Sequence, residues 1–294
     1  MNKVGEALAH GAITIVNAIA TGKGAALGID LWTKAKVQLT NTPGKIEGRI
    51  LSDPEENTLL IKNTILTVLQ HFHKENNYGA IAETNSNIYV ARGLKSSSVA
   101  TNALVLATTA ALEEELDDLT AIKLGVEAAL KSQVTITGAF DDACASYFGN
   151  AILTDNASRR IEKTIEIKED YNVLLHIPPE KSYTAKLDVE RIKLIAPLVE
   201  VAYQEALQER LWTALTLNGL LYSSILGYNP KIAFDAISKG AVAAGLTGKG
   251  PATAIITPQA RKAQVKEAIQ KSGGEVIDAR INREKAHILS ENRK

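Results

Sequence analysis

The segment VARGLKSSSVA, residues 90–100, places a glycine and two cations before three serines, which lead into an apolar pattern of helical spacing. Serine hydroxyls accept hydrogen bonds from the free N–H groups of a first helical turn, so one interpretation is that the serines only cap this helix. A helix N-terminus also attracts phosphate, because its N–H groups are unpaired and its dipole is positive there. Gly93 permits close backbone approach, Lys95 adds charge, and hydroxyl oxygens suit Mg²⁺. The combination favours an anion-binding loop.

The second group with chemical potential is the pair Asp141 and Asp142 in TGAFDDACAS, residues 137–146. Adjacent carboxylates among small apolar residues are costly unless they are paired or meet solvent or metal. A carboxylate beside an anion-binding loop is what proton abstraction from a hydroxyl requires. The competing interpretation is that Asp141 caps the helix and Asp142 lies on the surface. Glu127, on the preceding predicted helix, either adds a metal-binding oxygen or is an ordinary solvated position.

Two glycine-rich segments, GKGAALG at 22–28 and GLTGKG at 245–250, resemble nucleotide loops only in part. The first is one residue off the dinucleotide fingerprint and lacks the acidic residue that should follow it. A Walker A loop needs Ser or Thr after its Gly-Lys pair, but the three Gly-Lys pairs here are followed by Gly24, Ile46 and Gly250. The sequence therefore predicts neither a nicotinamide site nor a P-loop, and any nucleotide site must use another architecture.

Hydrophobic periodicity and turn residues predict the elements that position these groups. Strands are expected at 4–20, at 31–51 with turns at 41–44 and 47–48, at 79–91, at 163–177 and at 275–282. The segment 20–30 is expected to be a loop, and 245–257 a loop that leads into a strand. Helices are expected from Asp53–Pro54 to about residue 75 and at 97–115, 119–131, 138–149, 188–209, 211–226, 230–239 and 258–272. This order indicates an α+β fold, with domains at 1–160 and 161–294.

Composition restricts the class of protein. Hydrophobic residues make up 45% of the 294, and the 33 basic residues equal the 33 acidic ones, so neither nucleic acid nor an acidic membrane surface is expected as the main partner. Cys144 is the single cysteine, which excludes an intrachain disulfide and fits a cytoplasmic protein. The first residues do not resemble a signal peptide, and no membrane span is expected. The composition does not indicate an oligomeric state.

Three motifs resemble those of the GHMP kinase superfamily, which includes galactokinase, homoserine kinase and mevalonate kinase. In its second motif a Gly-Leu-Gly-Ser-Ser-Ala-Ala stretch opens a helix and wraps the phosphates of ATP. GLKSSSVA is similar to this motif, with Lys95 in place of the middle glycine. GLTGKGPATAII resembles the third motif, and TGAFDDA resembles the stretch with the catalytic aspartate, which falls on Asp141.

Within the superfamily, GAITIVNAIATGKGAALGIDL, VARGLKSSS and TGAFDDA together are most similar to the archaeal-type shikimate kinase family. Two departures stand out. The first motif of the superfamily often contains Pro-Gly-Lys, whereas HGAI places Gly11 and Ala12 there, so that lysine is missing. Tyr89 stands where a proline often precedes the second motif. The missing lysine leaves open which cation polarises the acceptor hydroxyl.

The resemblance implies a two-lobed fold with mixed and antiparallel sheets, and ATP-dependent, Mg²⁺-assisted phosphorylation of the 3-hydroxyl of shikimate. The alternatives are a kinase for another small alcohol, such as homoserine, or a non-catalytic member that binds a metabolite. Asp141 is the implied base, supported by Asp142. The implied nucleotide-binding residues are Ala91, Arg92, Gly93, Leu94, Lys95, Ser96, Ser97 and Ser98; the magnesium ligands are Ser97 and Glu127; and the glycine loop contains Gly245, Gly248 and Gly250. The expected substrate-binding residues are Asn17, Thr21, Lys23 and Asp30, with Lys23 or Arg92 as the cation for the substrate carboxylate.

Overall fold

The computed structural model describes residues 3–89, 93–179 and 187–289. Within these ranges the strands are β1 (Val4–Val16), β2 (Lys23–Thr40), β3 (Ile46–Ile50), β4 (Gly79–Ser86), β5 (Ala151–Asp155), β6 (Arg160–Ile165), β7 (Tyr171–Ile177), β8 (Ala243–Leu246), β9 (Thr253–Pro258), β10 (Glu275–Arg280) and β11 (His287–Ile288). The helices in the same ranges are α1 (Leu59–His71), α2 (Ser96–Leu112), α3 (Asp118–Lys131), α4 (Phe140–Phe148), α5 (Val189–Lys193), α6 (Ala196–Leu207), α7 (Leu211–Leu226), α8 (Lys231–Ser238) and α9 (Lys262–Gln270).

The strands form two sheets. The larger has the order β11-β1-β2-β4-β3, and β5 and β6 extend it from the first half of β2. Its pairs are antiparallel except β3 with β4, which are parallel. The smaller sheet is antiparallel with the order β10-β7-β9-β8. This arrangement confirms the predicted α+β class with mixed and antiparallel sheets. The domain boundary near residue 160 stays a prediction, and β6 and β11, which follow it in sequence, pair within the larger sheet.

The segment 20–30 is not the predicted glycine loop. A turn occupies 18–22, and β2 already begins at Lys23. A Cβ on Gly24 would collide with Oδ2 of Asp141, and a Cβ on Gly28 would lie 2.8 Å from Cα of Gly149. Glycine inside a strand often marks a site of close backbone approach. These glycines therefore allow α4 to pack directly on the sheet, and they do not form a loop.

Other boundaries differ for similar tertiary reasons. The turn at 41–44 is confirmed, but residues 47–48 lie inside β3, where a Cβ on Gly48 would press against Ile61 of α1. The first helix begins at Leu59, five residues after Pro54, because turns occupy residues 51–56. The predicted helix 188–209 is divided into α5 and α6, and β5 was missed. Short buried segments give weak periodic signals, so neighbouring contacts decide their ends.

Helix α2 packs between the larger sheet and the helices that cover it. It contacts β1 and β2 on one side and α1, α3 and α4 on the others. Nearly all its residues from Ser98 to Leu112 are buried, which explains why it is apolar on almost every face. Its first turn is therefore held in a fixed place beside the first turn of α4. Across the described ranges, no helix combines the length and apolar character needed to span a bilayer.

Candidate active site

A cavity of about 370 Å³ lies where α2, α4 and the turn between β8 and β9 meet. This volume is in the range of small-molecule binding sites. The end formed by α2, α4 and the β8–β9 turn is charged and polar. The other end reaches β3, β4 and α1; we call it the apolar end after Ile50, Leu60 and Ile61, although Glu56 and several polar side chains also line it. Its walls include Asn17, Ile50, Ser52, Glu56, Ile61, Thr84, Ile88, Gly93, Lys95, Ser96, Ser97, Ser98, Val134, Ile136, Asp141, Asp142, Gly248 and Lys249.

The first turn of α2 forms one wall of the charged end. The serines are the first three helical residues and not the cap, because the N-cap position is Lys95, in the left-handed conformation with φ 63°. The side chain of Lys95 makes no capping hydrogen bond to the first N–H groups of α2. These N–H groups belong to the turn of Ser96, Ser97 and Ser98, which lines the cavity. Gly93, with φ 85°, supplies the preceding turn. The expectation that serine caps this helix was wrong, and the first turn is better placed to receive an anion.

Asp141 is fully enclosed in the first turn of α4, where it is only 3% exposed. Its Oδ1 accepts from Nδ2 of Asn156 at 2.8 Å, and its backbone N–H donates to Oδ1 of Asn156 at 3.1 Å. The hydroxyl of Thr154 donates to the same Asn156 oxygen at 2.7 Å, which fixes the orientation of the amide. Burial, and then the charge of Asp142, raise the pKa of Asp141 to about 7, against the opposing influence of Lys95 and Asn156.

Asp142 differs from its neighbour because it has a cationic partner. Its Oδ2 accepts from Nζ of Lys95 at 2.8 Å, and both side chains are about 90% buried, with 8% and 10% exposed. Its Oδ1 is buried without a hydrogen-bond partner among the described residues. Nδ2 of Asn102, on α2, donates to the backbone carbonyl of Ala143 at 2.9 Å and so ties α2 to α4 beside this pair.

The turn between β8 and β9 closes the charged end. The N–H of Gly248 donates to Oγ1 of Thr14 at 2.9 Å, and its carbonyl accepts from Nδ2 of Asn17 at 2.8 Å. The hydroxyl of Thr247 donates to the carbonyl of Gly93 at 3.2 Å, which joins this turn to the loop before α2. The predicted glycine loop is thus present at Gly248.

Gly245 and Gly250, the other two glycines of the predicted glycine loop, lie behind the turn. Gly245 lies inside β8, where a Cβ would come within 2.9 Å of Cα of Gly219 on α7. Gly250 packs against the ring of Tyr228, with φ 72°. Both allow close packing behind the turn and neither lines the cavity. Leu94, expected to bind nucleotide, is a core residue that is 1% exposed.

Several predicted residues do not reach the cavity. Glu127, expected as a magnesium ligand, is half exposed and pairs with Lys131 at 2.8 Å on the outer face of α3. Lys23 pairs with Glu200 at 3.3 Å, and Asp30 accepts from the N–H of Arg280 at 2.7 Å. Thr21 bonds to the backbone of Lys23 within its own turn. None of these four residues is among those that line the described cavity. Ala91 and Arg92 lie outside the described residues.

Sequence reasoning missed three features of the site. Asn156 orients Asp141 but is 15 residues away from it, in a turn that showed no motif. Lys249 belongs to a Gly-Lys pair without the Ser or Thr of a Walker A loop, and the sequence predicts no separate role for it. The apolar end, with Ile50, Ile61 and Val134, comes from residues that any buried strand or helix contains. Of these, only Lys249 had a signal, a lysine between two glycines.

Comparison with known proteins finds a matching family model, relatives in sequence and a similar solved structure. Residues 60–150 match the family model described as GHMP kinases N terminal domain. The chain is 44% identical to a shikimate kinase of Methanosarcina acetivorans over 95% of this chain and 94% of the relative. It is 45% identical to a shikimate kinase of Pyrococcus furiosus over 90% of this chain and 95% of the relative.

The fold matches that of a solved mevalonate kinase of Methanococcus jannaschii, with a TM-score of 0.77 and 17% identity over 96% of this chain and 99% of that one. This likeness concerns the fold, because identity at that level does not carry a substrate. The two shikimate kinases show membership of a family, since each is more than 40% identical to this chain over nearly its whole length. The chain therefore belongs to the shikimate kinase family whose members have the GHMP kinase fold.

Proposed function

We propose that this protein transfers the γ-phosphoryl group of ATP to the 3-hydroxyl of shikimate, with Mg²⁺ bound beside the phosphates. The observation that carries the proposal is the buried carboxyl of Asp141 in the same cavity wall as the first turn of α2. One element suits a phosphate and the other suits a hydroxyl that must lose its proton. The family supports shikimate as the acceptor, since relatives with that name cover nearly all of the chain.

The N–H groups and hydroxyls of Ser96–Ser98 receive the phosphates, at the positive end of the α2 dipole. The apolar end of the cavity accommodates the nucleotide base, because its isoleucines offer apolar surface on which a base can be buried. In phosphoryl transfer, catalysis rests mainly on such positioning and on charge neutralisation.

Asp141 takes the proton from the acceptor hydroxyl. As that oxygen forms its bond to the γ-phosphorus, the bond to the bridging oxygen breaks and ADP leaves with the electron pair. A pKa near 7 suits this role, because a substantial fraction of the carboxyl is ionised at neutral pH and it is still basic enough to accept a proton. Asn156 orients the carboxyl through the hydrogen bond from its Nδ2, and its own amide is fixed by the backbone N–H of Asp141.

The described wall fits a magnesium ion. Mg²⁺ prefers oxygen ligands and is commonly held by one or two protein groups together with substrate phosphates. Among the described residues, Oδ1 of Asp142 is a buried acceptor without a partner, and Ser97 lines the same cavity. These two groups would hold the ion, and Glu127 would not. When bound, the ion neutralises charge on the phosphates.

Of the substrate-binding residues predicted from the sequence, Asn17 is the one that lines the described cavity. Its Nδ2 donates to the carbonyl of Gly248 and its Oδ1 accepts from the N–H of Ile19, which fix the amide at the cavity wall. Asn17 remains the proposed contact to a ring hydroxyl. Lys95 beside Asp142 fills the role left open by the missing first-motif lysine, as the cation near the reacting groups. The division at residue 160 and a cytoplasmic location remain proposals from the sequence.

A coupled ADP-release assay with shikimate, homoserine, mevalonate and galactose tests this function. We expect saturable release with shikimate and background rates with the others, with ³¹P NMR showing phosphate on the 3-oxygen. Faster release with homoserine would replace the acceptor but keep the kinase. Tight nucleotide binding without release for any acceptor would indicate a non-catalytic member of the family.

A further inference from the structure

The turn between β1 and β2 forms part of the cavity wall. Its first residues, Asn17, Ala18 and Ile19, line the cavity, and Asn17 is the proposed contact to a ring hydroxyl. We call residues 17–22 the acceptor turn. Buried backbone N–H and C=O groups need hydrogen-bond partners. The shape of the acceptor turn therefore depends on the groups that pack around its backbone.

Helix α7 supplies these partners through two side chains. Asn218 and Tyr222 are four residues apart, so they lie on one face of the helix. Oδ1 of Asn218 accepts from the N–H of Asn17 at 3.0 Å. The hydroxyl of Tyr222 accepts from the N–H of Ala20 at 3.1 Å and donates to the carbonyl of Asn17 at 3.2 Å. Two side chains thus bind three backbone groups of the acceptor turn.

Both side chains are polar groups in the interior, where they are costly unless they are bonded. Asn218 is 1% exposed and Tyr222 is fully buried. Nδ2 of Asn218 has no hydrogen-bond partner among the described residues. The amide cannot turn over, because Nδ2 would then oppose the N–H of Asn17. A leucine here would avoid the unpaired donor but would leave the N–H of Asn17 without its acceptor. The asparagine therefore fits a role in holding the turn.

The other side of the acceptor turn adjoins the proposed base. The carbonyl of Gly22 accepts from the N–H of Asn156 at 2.8 Å. Nδ2 of Asn156 in turn donates to Oδ1 of Asp141 at 2.8 Å. The acceptor turn therefore lies between α7 and the residue that orients the reacting carboxyl. A change in the position of the turn would move the contact at Asn17 relative to Asp141.

We propose that Tyr222 and Asn218 are positioning residues, which hold the acceptor turn in the shape that binds the alcohol beside Asp141. Neither residue lines the described cavity, so each acts through the backbone of the turn. A wall that is fixed in advance loses less entropy when the acceptor binds. The phosphates are received elsewhere, at the first turn of α2, so nucleotide binding should not depend on this pair. This inference rests on the proposed phosphotransfer function.

Steady-state kinetics of Tyr222→Phe test the role. The variant keeps the ring and removes the hydroxyl, so it leaves the N–H of Ala20 and the carbonyl of Asn17 without this partner. We expect KM for shikimate to rise about tenfold, and KM for ATP to stay within about twofold of wild type. Tyr147→Phe is the matched control, because its buried ring carries a hydroxyl that donates to Asp118 at 3.0 Å outside the cavity wall. It should change neither constant.

Asn218→Leu removes the second support of the same turn and should also raise KM for shikimate. Because both side chains hold one turn, the double variant Asn218→Leu with Tyr222→Phe should raise this KM by less than the product of the single effects. An unchanged KM for shikimate in both single variants would overturn the proposal. Equal rises in KM for shikimate and for ATP would overturn it as well, since they would show a general loss of structure.

Amide hydrogen exchange of the wild-type protein decides the matter should these variants not fold. Without ligand, the N–H groups of Asn17 and Ala20 should exchange at least about 100-fold more slowly than in an unfolded chain, and shikimate should change their rates little. Fast exchange that slows only when shikimate is added would overturn the proposal, because the acceptor and not α7 would then order the turn. The exchange of the free protein involves no phosphotransfer, whereas wild-type ADP release with shikimate reports on the proposed function separately.

Discussion

The two ends of the cavity are built from different kinds of residue. At the charged end, Lys95, Asp141 and Lys249 come from a loop, a first helical turn and a strand connection, and burial shifts the pKa of Asp141 up and that of Lys249 down. At the apolar end, Ile50 and Ile61 come from β3 and α1 and continue the core. The charged end is electrostatically unfavourable in the free protein, whereas the apolar end is ordinary packing. We therefore expect the charged end to govern turnover and the apolar end to govern nucleotide affinity.

The largest effect is expected at Asp141. Asp141→Asn keeps the shape of the side chain but removes its ability to accept a proton, and a general base contributes about 10²- to 10⁴-fold. We expect kcat to fall by that factor in steady-state assays, with nucleotide affinity largely retained. Asp170→Asn, at an exposed position, is the control for loss of one carboxylate. A turnover within twofold of wild type would remove Asp141 from the chemistry.

Ser97→Ala should have the next largest effect. The hydroxyl lines the charged end and is a proposed ligand to Mg²⁺, so its removal should lower kcat at least tenfold at saturating ATP and Mg²⁺. The fold should survive, because Ser97 is not the cap of α2 and a lost cap would in any case cost only about 1 kcal/mol. Circular dichroism checks the fold. Unchanged turnover under these conditions argues against any contact of Ser97 with metal or phosphate.

Asp142→Asn distinguishes the two adjacent carboxyls. Neighbouring residues of a helix point about 100° apart, so both cannot aim at one hydroxyl. Asp142 is engaged with Lys95 and is a proposed ligand to Mg²⁺, so we expect its substitution to lower kcat less than Asp141→Asn and to raise the Mg²⁺ concentration needed for half-maximal rate as well as KM for shikimate. Steady-state kinetics of the two variants side by side give the answer. If Asp142→Asn is the more damaging to turnover, the roles of the two carboxyls are exchanged.

The smallest effect should come from the apolar end. Ile136 lines the cavity and is 37% exposed, so Ile136→Ala removes contact area without a large loss of core packing. We expect KM for ATP to rise about three- to tenfold with kcat nearly unchanged, since this contact is equal in ground and transition states. Leu198→Ala, exposed on α6, should change neither constant. A fall in kcat with KM for ATP unchanged would contradict the assignment of nucleotide affinity to the apolar end and of turnover to the charged end.

The same contrast explains what the sequence could predict. A serine triplet after glycine and lysine, and adjacent aspartates in an apolar helix, are unusual combinations, so the charged end was found. Isoleucines that line a cavity look like isoleucines in a core, so the apolar end was not. Glu127 showed a suitable residue type, but spacing alone could not tell that its side chain pairs with Lys131 outside the cavity.

The remaining features of the site depend on contacts between residues that are distant in the sequence. The glycines at 24 and 28 suggested a loop, because a single sequence does not show that α4 packs against them. The pairing of Lys95 with Asp142 spans 47 residues, so the sequence alone could not show that the two side chains meet. Asn156 is similarly a tertiary partner with no sequence signal.

The pH dependence of kcat/KM for shikimate, measured at saturating ATP in wild type and in Asp141→Asn, tests the central claim most directly. Burial raises the pKa of Asp141 to about 7, so its proton-accepting form grows as pH rises through 7. We predict that wild-type kcat/KM increases from pH 6 to pH 8 with a midpoint near 7, and that this rise is absent in Asp141→Asn. A wild-type profile that is flat over this range, or a rise that persists unchanged in Asp141→Asn, would contradict the assignment of Asp141 as the base.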